Sequence, residues 1–171
     1  MRQTAWVVMG VSGCGKSAVG ARLAQALGVR FIEGDAFHPP ENVAKMRAGV
    51  PLDDADRRGW LAALRSEIAR AKGAGESVVL SCSALKRAYR DILRGNGGDV
   101  RFVHLIGDRA LIAQRMAARP GHFMPLSLLD SQLRDLEPLQ PDEAGVTLDL
   151  RDPPDRLVEQ ALAASRDQGP D

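Results

Sequence analysis

Gly10-Val11-Ser12-Gly13-Cys14-Gly15-Lys16-Ser17 spells G-x-x-x-x-G-K-S. It follows the apolar run Ala5–Met9 and precedes a helix-like stretch over 18–27, so strand, glycine-rich turn and helix come in the order that a phosphate-binding loop requires. Glycines let backbone N–H groups turn toward an anion, and the helix N-terminus adds a partial positive charge. Lys16 is then expected to reach the β- and γ-phosphates of a bound nucleotide, and the Ser17 hydroxyl is the expected Mg²⁺ ligand. A glycine-rich turn without a nucleotide would explain the glycines but not the Lys-Ser pair at the junction. Gly10, Val11, Ser12, Gly13, Cys14, Gly15, Lys16 and Ser17 are therefore the expected nucleotide site.

Working outward, short apolar runs alternate with amphipathic stretches, the rhythm of an α/β fold whose parallel sheet is flanked by helices. The pattern predicts strands at 5–9, 30–33, 78–82, 101–106 and 146–149. It predicts helices at 16–27, 40–48, 54–72, 84–93, 108–118, 126–136 and 154–164, with Asp108 as a cap and Gly28 as a stop. The 171 residues, 44% hydrophobic, suit one domain with one core. Lys and Arg number 23 against 22 Asp and Glu, so no global field draws nucleic acid or an anionic membrane, and 4% aromatics offer little for base stacking. The first strand starts almost at once, so no leader is expected, and two cysteines outside any metal spacing fit a reducing cytoplasm.

Two segments interrupt the sheet rhythm and are expected to project over the phosphate loop. The first, 36–60, carries His38, Lys45, Arg47, Arg57 and Arg58; the second, 115–137, carries Arg115, Arg119 and His122. They read as an acceptor-covering segment and a lid. Ligands of open α/β sheets bind at the carboxyl ends of strands, which is where Asp35 lies. Its carboxylate is expected to orient an attacking hydroxyl and take its proton; capping the next helix is the alternative, and Gly34 is expected to permit a tight turn. After the third strand, Ser81-Cys82-Ser83 stands where an acidic metal-positioning residue is common, which suggests close packing beneath the loop. Lys86 and Arg90 share a helix face, as ligand groups or as solvated charge. Arg115 and Arg119, also four apart before Pro120-Gly121, suit a phosphate-closing lid because guanidinium pairs bidentately with phosphate oxygens. His104, alternating with Val103 and Leu105, is expected to be a hydrogen-bonded structural histidine. The Trp60, Leu61, Leu64, Ile68 stripe is expected to be core.

Further stretches narrow the class: Glu33-Gly34-Asp35-Ala36-Phe37-His38-Pro39, Asn42, Lys45-Met46, Gly49-Val50-Pro51-Leu52-Asp53-Asp54-Ala55-Asp56-Arg57, Trp60-Leu61, Cys82-Ser83-Ala84-Leu85-Lys86, Tyr89-Arg90-Asp91 and Gly121-His122-Phe123-Met124. With the loop, they closely resemble the gluconokinase family of small P-loop kinases. The resemblance implies a nucleoside monophosphate kinase-like fold with a five-stranded parallel sheet and a mobile lid. It implies ATP-dependent phosphorylation of D-gluconate at its 6-hydroxyl, feeding pentose phosphate or Entner–Doudoroff metabolism, and often a homodimer. By matching position, Asp35 is the base or hydroxyl-orienting group, and Lys16, with Arg119, stabilises the phosphoryl group. His38, Lys45, Arg47, Lys86, Arg90, His122 and Gln132 suit the acceptor's carboxylate and hydroxyls. Pro120 stands where the family frequently has a basic residue. Kinases of other small acceptors, and an ATP-dependent switch without an acceptor pocket, share the loop; the His38-Pro39 and Cys82–Lys86 contexts separate gluconokinases from them.

Overall fold

β-branched and aliphatic runs pair into one parallel sheet in a computed structural model of the chain, which describes residues 3–95, 99–118 and 125–167. The strands are β1 (Ala5–Met9), β2 (Arg30–Glu33), β3 (Val78–Ser81), β4 (Val100–Ile106) and β5 (Gly145–Asp149), ordered β2-β3-β1-β4-β5. β1 is central, with Val7 beside Leu80 of β3 and Phe102 of β4. All five residues of β1 are buried, as expected for a strand covered on both faces. The order reverses across β1, which puts the loop after it at the crevice where such sheets bind ligands.

The helices are α1 (Lys16–Leu27), α2 (Pro40–Arg47), α3 (Asp54–Gly73), α4 (Arg87–Arg94), α5 (Arg109–Ala118), α6 (Leu126–Asp135) and α7 (Pro154–Asp167). Gly28 ends α1 in the left-handed conformation, its N–H reaching the carbonyls of Ala24 and Gln25. Asp53 and Asp56 form a reciprocal capping box at the start of α3. The Trp60, Leu61, Leu64, Ile68 stripe of that helix is buried as expected. No helix among the described residues is long and apolar enough to cross a membrane.

Three expectations change. The stretch from 84 does not start a helix: Ala84 takes a positive φ of 43° and Lys86 is extended, so α4 begins at Arg87. A short 3₁₀ turn, Gly34–Phe37, follows β2, too brief for periodicity to reveal. His104 is buried as expected, but neither ring nitrogen has a hydrogen-bond partner among the described residues. Burial, with the Arg90 charge nearby, lowers its pKa to about 4 and keeps the imidazole neutral.

Candidate active site

The loop between β1 and α1 is held from three sides. Beneath it, the Gly10 N–H donates to the Ser83 carbonyl at 3.3 Å, and Cys14 and Cys82 are buried. Burial raises both thiols, Cys82 to about 12, so each packs as a small apolar group. The close packing expected of Ser81-Cys82-Ser83 is present. On one flank α5 presses on the loop: a Cβ at Gly13, whose φ is +81°, would lie 2.5 Å from Met116 Cγ. Arg115 is half-buried on that helix, and its charge reaches Cys14. From above, Gln132 of α6 accepts the Ser12 N–H at 2.7 Å.

Lys16 and Ser17 open α1, where backbone N–H groups have no intrahelical acceptor. Lys16 Nζ donates to the Val11 carbonyl at 3.0 Å, which uses one of its three protons. Unpaired amides, an ammonium and a hydroxyl at a helix N-terminus are the donor set that a triphosphate and its Mg²⁺ need, so the residues present fit both. Among the described residues no group of three or more His, Cys, Asp or Glu is arranged to hold a metal.

Facing the loop is a second wall. A cleft of about 510 Å³, open mouth included, is lined by Ser12 and Lys16 on one side and by Asp35, His38, Arg57 and Trp60 on the other. Ser83, Met46, Pro51, Leu52, Leu128, Ser131 and Gln132 complete it. The acceptor-covering segment and the α6 part of the expected lid thus both border the cavity.

Gly34 puts Asp35 there for a reason other than a tight turn. Its φ is not positive; instead, a Cβ at that position would lie 1.8 Å from the Ser81 carbonyl oxygen. Only glycine lets the chain cross the end of β3, where its N–H donates to Ser81 Oγ at 3.1 Å. Asp35, 64% exposed, projects from the turn, while His38, 5% exposed, stacks on Trp60 with centroids 4.0 Å apart. Trp60 is anchored by Nε1–H donation to the Gly34 carbonyl at 2.8 Å. It is both core and pocket wall.

Arg57 was visible in the sequence only as one basic residue among several, and among the described residues it is the arginine that lines this wall. It is buried, and its Nη1 donates to Tyr89 Oη at 2.9 Å and Asp135 at 3.2 Å. Its Nε and Nη2 take no partner among the described residues. The signal that could have found it is position: it is one turn into a capped helix and three residues before the buried Trp60.

Four expected acceptor residues are not brought to the cleft. Arg90 is fully buried, spending its guanidinium on Glu143 and on the carbonyls of Ala84, Leu85 and Pro138. Lys45 is paired with Asp56 at 2.8 Å and Lys86 with Asp54 at 3.0 Å, which raises both lysines. Arg47 is exposed at the end of α2. Arg119 and His122 lie outside the described residues, as does Pro120.

The comparisons agree with this geometry. Residues 6–139 match the model of the AAA domain family. A gluconokinase of Gluconobacter oxydans is 48% identical over 156 residues, spanning 91% of this chain and 88% of that one. A solved sugar kinase from Janibacter sp. HTCC2649 is 51% identical with a TM-score of 0.90, covering 95% of this chain and 94% of that one. A solved gluconokinase from Sinorhizobium meliloti 1021 is 50% identical with a TM-score of 0.86, covering 95% and 93%.

Proposed function

The chain belongs to the gluconokinase family, and from that premise we propose that it transfers the γ-phosphoryl group of ATP to the 6-hydroxyl of D-gluconate, giving 6-phospho-D-gluconate and ADP. One observation carries the reading: a single cleft joins the phosphate loop, through Ser12 and Lys16, to Asp35 and Arg57 on the opposite wall.

Gluconate has a carboxylate at one end and the reacting hydroxyl at the other, so its site needs a desolvated cation and a proton acceptor. Arg57 supplies the first. Its two uncommitted donors form the planar fork that a carboxylate matches, and Tyr89 and Asp135 hold it in place. Asp35 supplies the second, taking the hydroxyl proton as that oxygen attacks phosphorus. His38 and Ser131 line the same space and offer hydrogen bonds to the intervening hydroxyls.

On the donor side the loop amides and Lys16 bind the phosphates, and Lys16 offsets charge on the phosphoryl oxygens during transfer. Arg115 on α5 is placed to assist the loop, with Arg119 assigned the same task from the lid. Mg²⁺, when bound at Ser17, screens phosphate charge and fixes phosphate geometry. Met46, Pro51, Leu52 and Leu128 supply apolar patches to the cleft walls, which helps keep water from competing with the sugar hydroxyl.

The test is ADP production from Mg-ATP with D-gluconate, other aldonates, shikimate, nucleoside monophosphates or no acceptor, with a 6-phosphogluconate-coupled readout. Stimulation by gluconate with 6-phosphogluconate formed is expected. Stimulation by another acceptor removes the substrate assignment, and acceptor-independent hydrolysis removes the kinase reading.

A further inference from the structure

Asn42 is buried in the first turn of α2, contributes nothing to the cleft surface, and belongs to none of the roles assigned above. Its amide nitrogen lies 2.9 Å from the Asp56 carbonyl oxygen and 3.3 Å from His38 Nδ1. A backbone carbonyl can only accept, so the atom facing it must be the NH₂ group, whose second proton then points at Nδ1. Nδ1 therefore accepts, and the proton of a neutral His38 must sit on Nε2. That nitrogen is 3.9 Å from Asp35 Oδ1, beyond direct hydrogen-bond distance, and both residues line the cleft.

We infer that Asn42 is a positioning residue that locks His38 as the Nε2–H tautomer, with that donor 3.9 Å from the Asp35 carboxylate, a gap that the acceptor hydroxyl can bridge. The inference rests on the acceptor-phosphorylation reading of this cleft. Its consequence is a division of labour between the two cleft groups. An Nε2–H can donate to the acceptor oxygen and leaves Asp35 to take that hydroxyl's proton. An Nδ1–H tautomer would instead present a second acceptor there, competing with Asp35 for the same proton. Stacking on Trp60, whose own N–H is tied to Gly34, holds the plane of the ring, and the Asn42 contact decides which way round the ring sits in that plane.

The charged groups facing His38 are Asp35 from the 3₁₀ turn and Arg57 from α3, with Lys16 across the cavity. From α3 Asp56 presents only its carbonyl to Asn42, its carboxylate being paired with Lys45. Burial lowers the His38 pKa, the Asp35 charge opposes that and Arg57 adds to it, so the neutral ring persists below the usual histidine range.

The decisive measurement is ¹⁵N–¹H long-range NMR of the full chain with labelled histidine, the His38 signals being identified by their loss in His38→Gln. A protonated Nε2 and an unprotonated Nδ1 at neutral pH are expected. Asn42→Asp replaces the donor with an acceptor, so it should protonate Nδ1 and raise the His38 pKa. The acid limb of kcat/KM for the acceptor should then move up by on the order of one pH unit, with KM for ATP unchanged. Asn42→Ser, which retains a hydroxyl donor, should restore part of the profile. A wild-type Nδ1–H signature overturns the inference, as does a folded Asn42→Asp protein with an unmoved tautomer and pH profile. If Asn42→Asp does not fold, the wild-type spectrum decides alone. Because the spectrum needs no acceptor, a wrong substrate assignment leaves this result standing, and a wrong tautomer leaves the substrate assignment standing.

Discussion

Arg57 and Arg90 are both buried guanidinium groups on neighbouring helices, α3 and α4, yet they sit in opposite kinds of surroundings. Arg90 is saturated: Glu143 receives its Nε at 2.7 Å and its Nη2 at 3.0 Å, and three carbonyls take the rest. Arg94 adds a third bond to Glu143 at 2.9 Å, and Arg87 grips Asp142, so this knot ties α4 to the chain ahead of β5. Arg57 is held by one nitrogen and left with two donors at the cleft. Burial of a charge does not separate a strut from a binding group; unfinished coordination does. An incompletely paired buried cation carries a desolvation cost that an anionic ligand relieves, and a saturated one has nothing left to offer.

The largest test of that contrast lies on the Arg57 wall. Asp35→Asn should lower kcat by about 10²- to 10⁴-fold while ATP binding persists, measured by ADP release and by nucleotide titration. Near-normal turnover would remove Asp35 from the chemistry.

Next, the two arginines should fail differently. Arg90→Met strands Glu143 as a buried, half-paired carboxylate and should cost about 3–5 kcal/mol, a fall in Tm on the order of 10 °C, with kcat/KM of the folded protein preserved. Arg57→Lys should instead raise KM for gluconate about 10- to 100-fold, because an ammonium cannot reproduce the fork, with a smaller change in Tm. Equal effects on KM from both substitutions would erase the distinction.

The pH dependence of stability should show two steps. His104 is held neutral with a folded pKa of about 4, below the ordinary 6.5, so stability is lost as pH falls from about 6.5 to about 4, where only the unfolded chain gains the proton. Burial by itself would raise Glu143, but the hydrogen bonds from Arg90 and Arg94 prevail and lower it from 4.5 to about 2. Its contribution is present above pH 4.5 and disappears toward pH 2. Thermal melts across pH should lose the upper step in His104→Leu and the lower one in Arg90→Met.

The smallest effect belongs to Lys86. Paired with Asp54 and half in solvent, Lys86→Met should change KM for gluconate by less than about fivefold. A larger increase in steady-state kinetics would bring this lysine back into the acceptor site.

What sequence alone determined here is whatever depends on neighbours a few residues apart. The phosphate loop is a contiguous octapeptide between a strand and a helix, the strand 5–9 is a local apolar run, and Gly28 stops its helix through bonds within one turn. Asp35 was legible too, because a strand end points it at the crevice whatever its distant partners are. The tertiary structure alone decided which cations line the cleft. Arg90 was claimed by Glu143, 53 residues away, and Arg57 was left half-open by Asp135, 78 residues away. Lys86 was drawn to Asp54 across 32 residues, and Lys45 to a carboxylate that already caps α3. Gly34 shows the same limit, since the demand for glycine comes from the Ser81 carbonyl on another strand. A charged side chain is long and promiscuous in its pairing, so its role is set by which opposite charge the fold places within reach, and no periodicity or short motif records that distance.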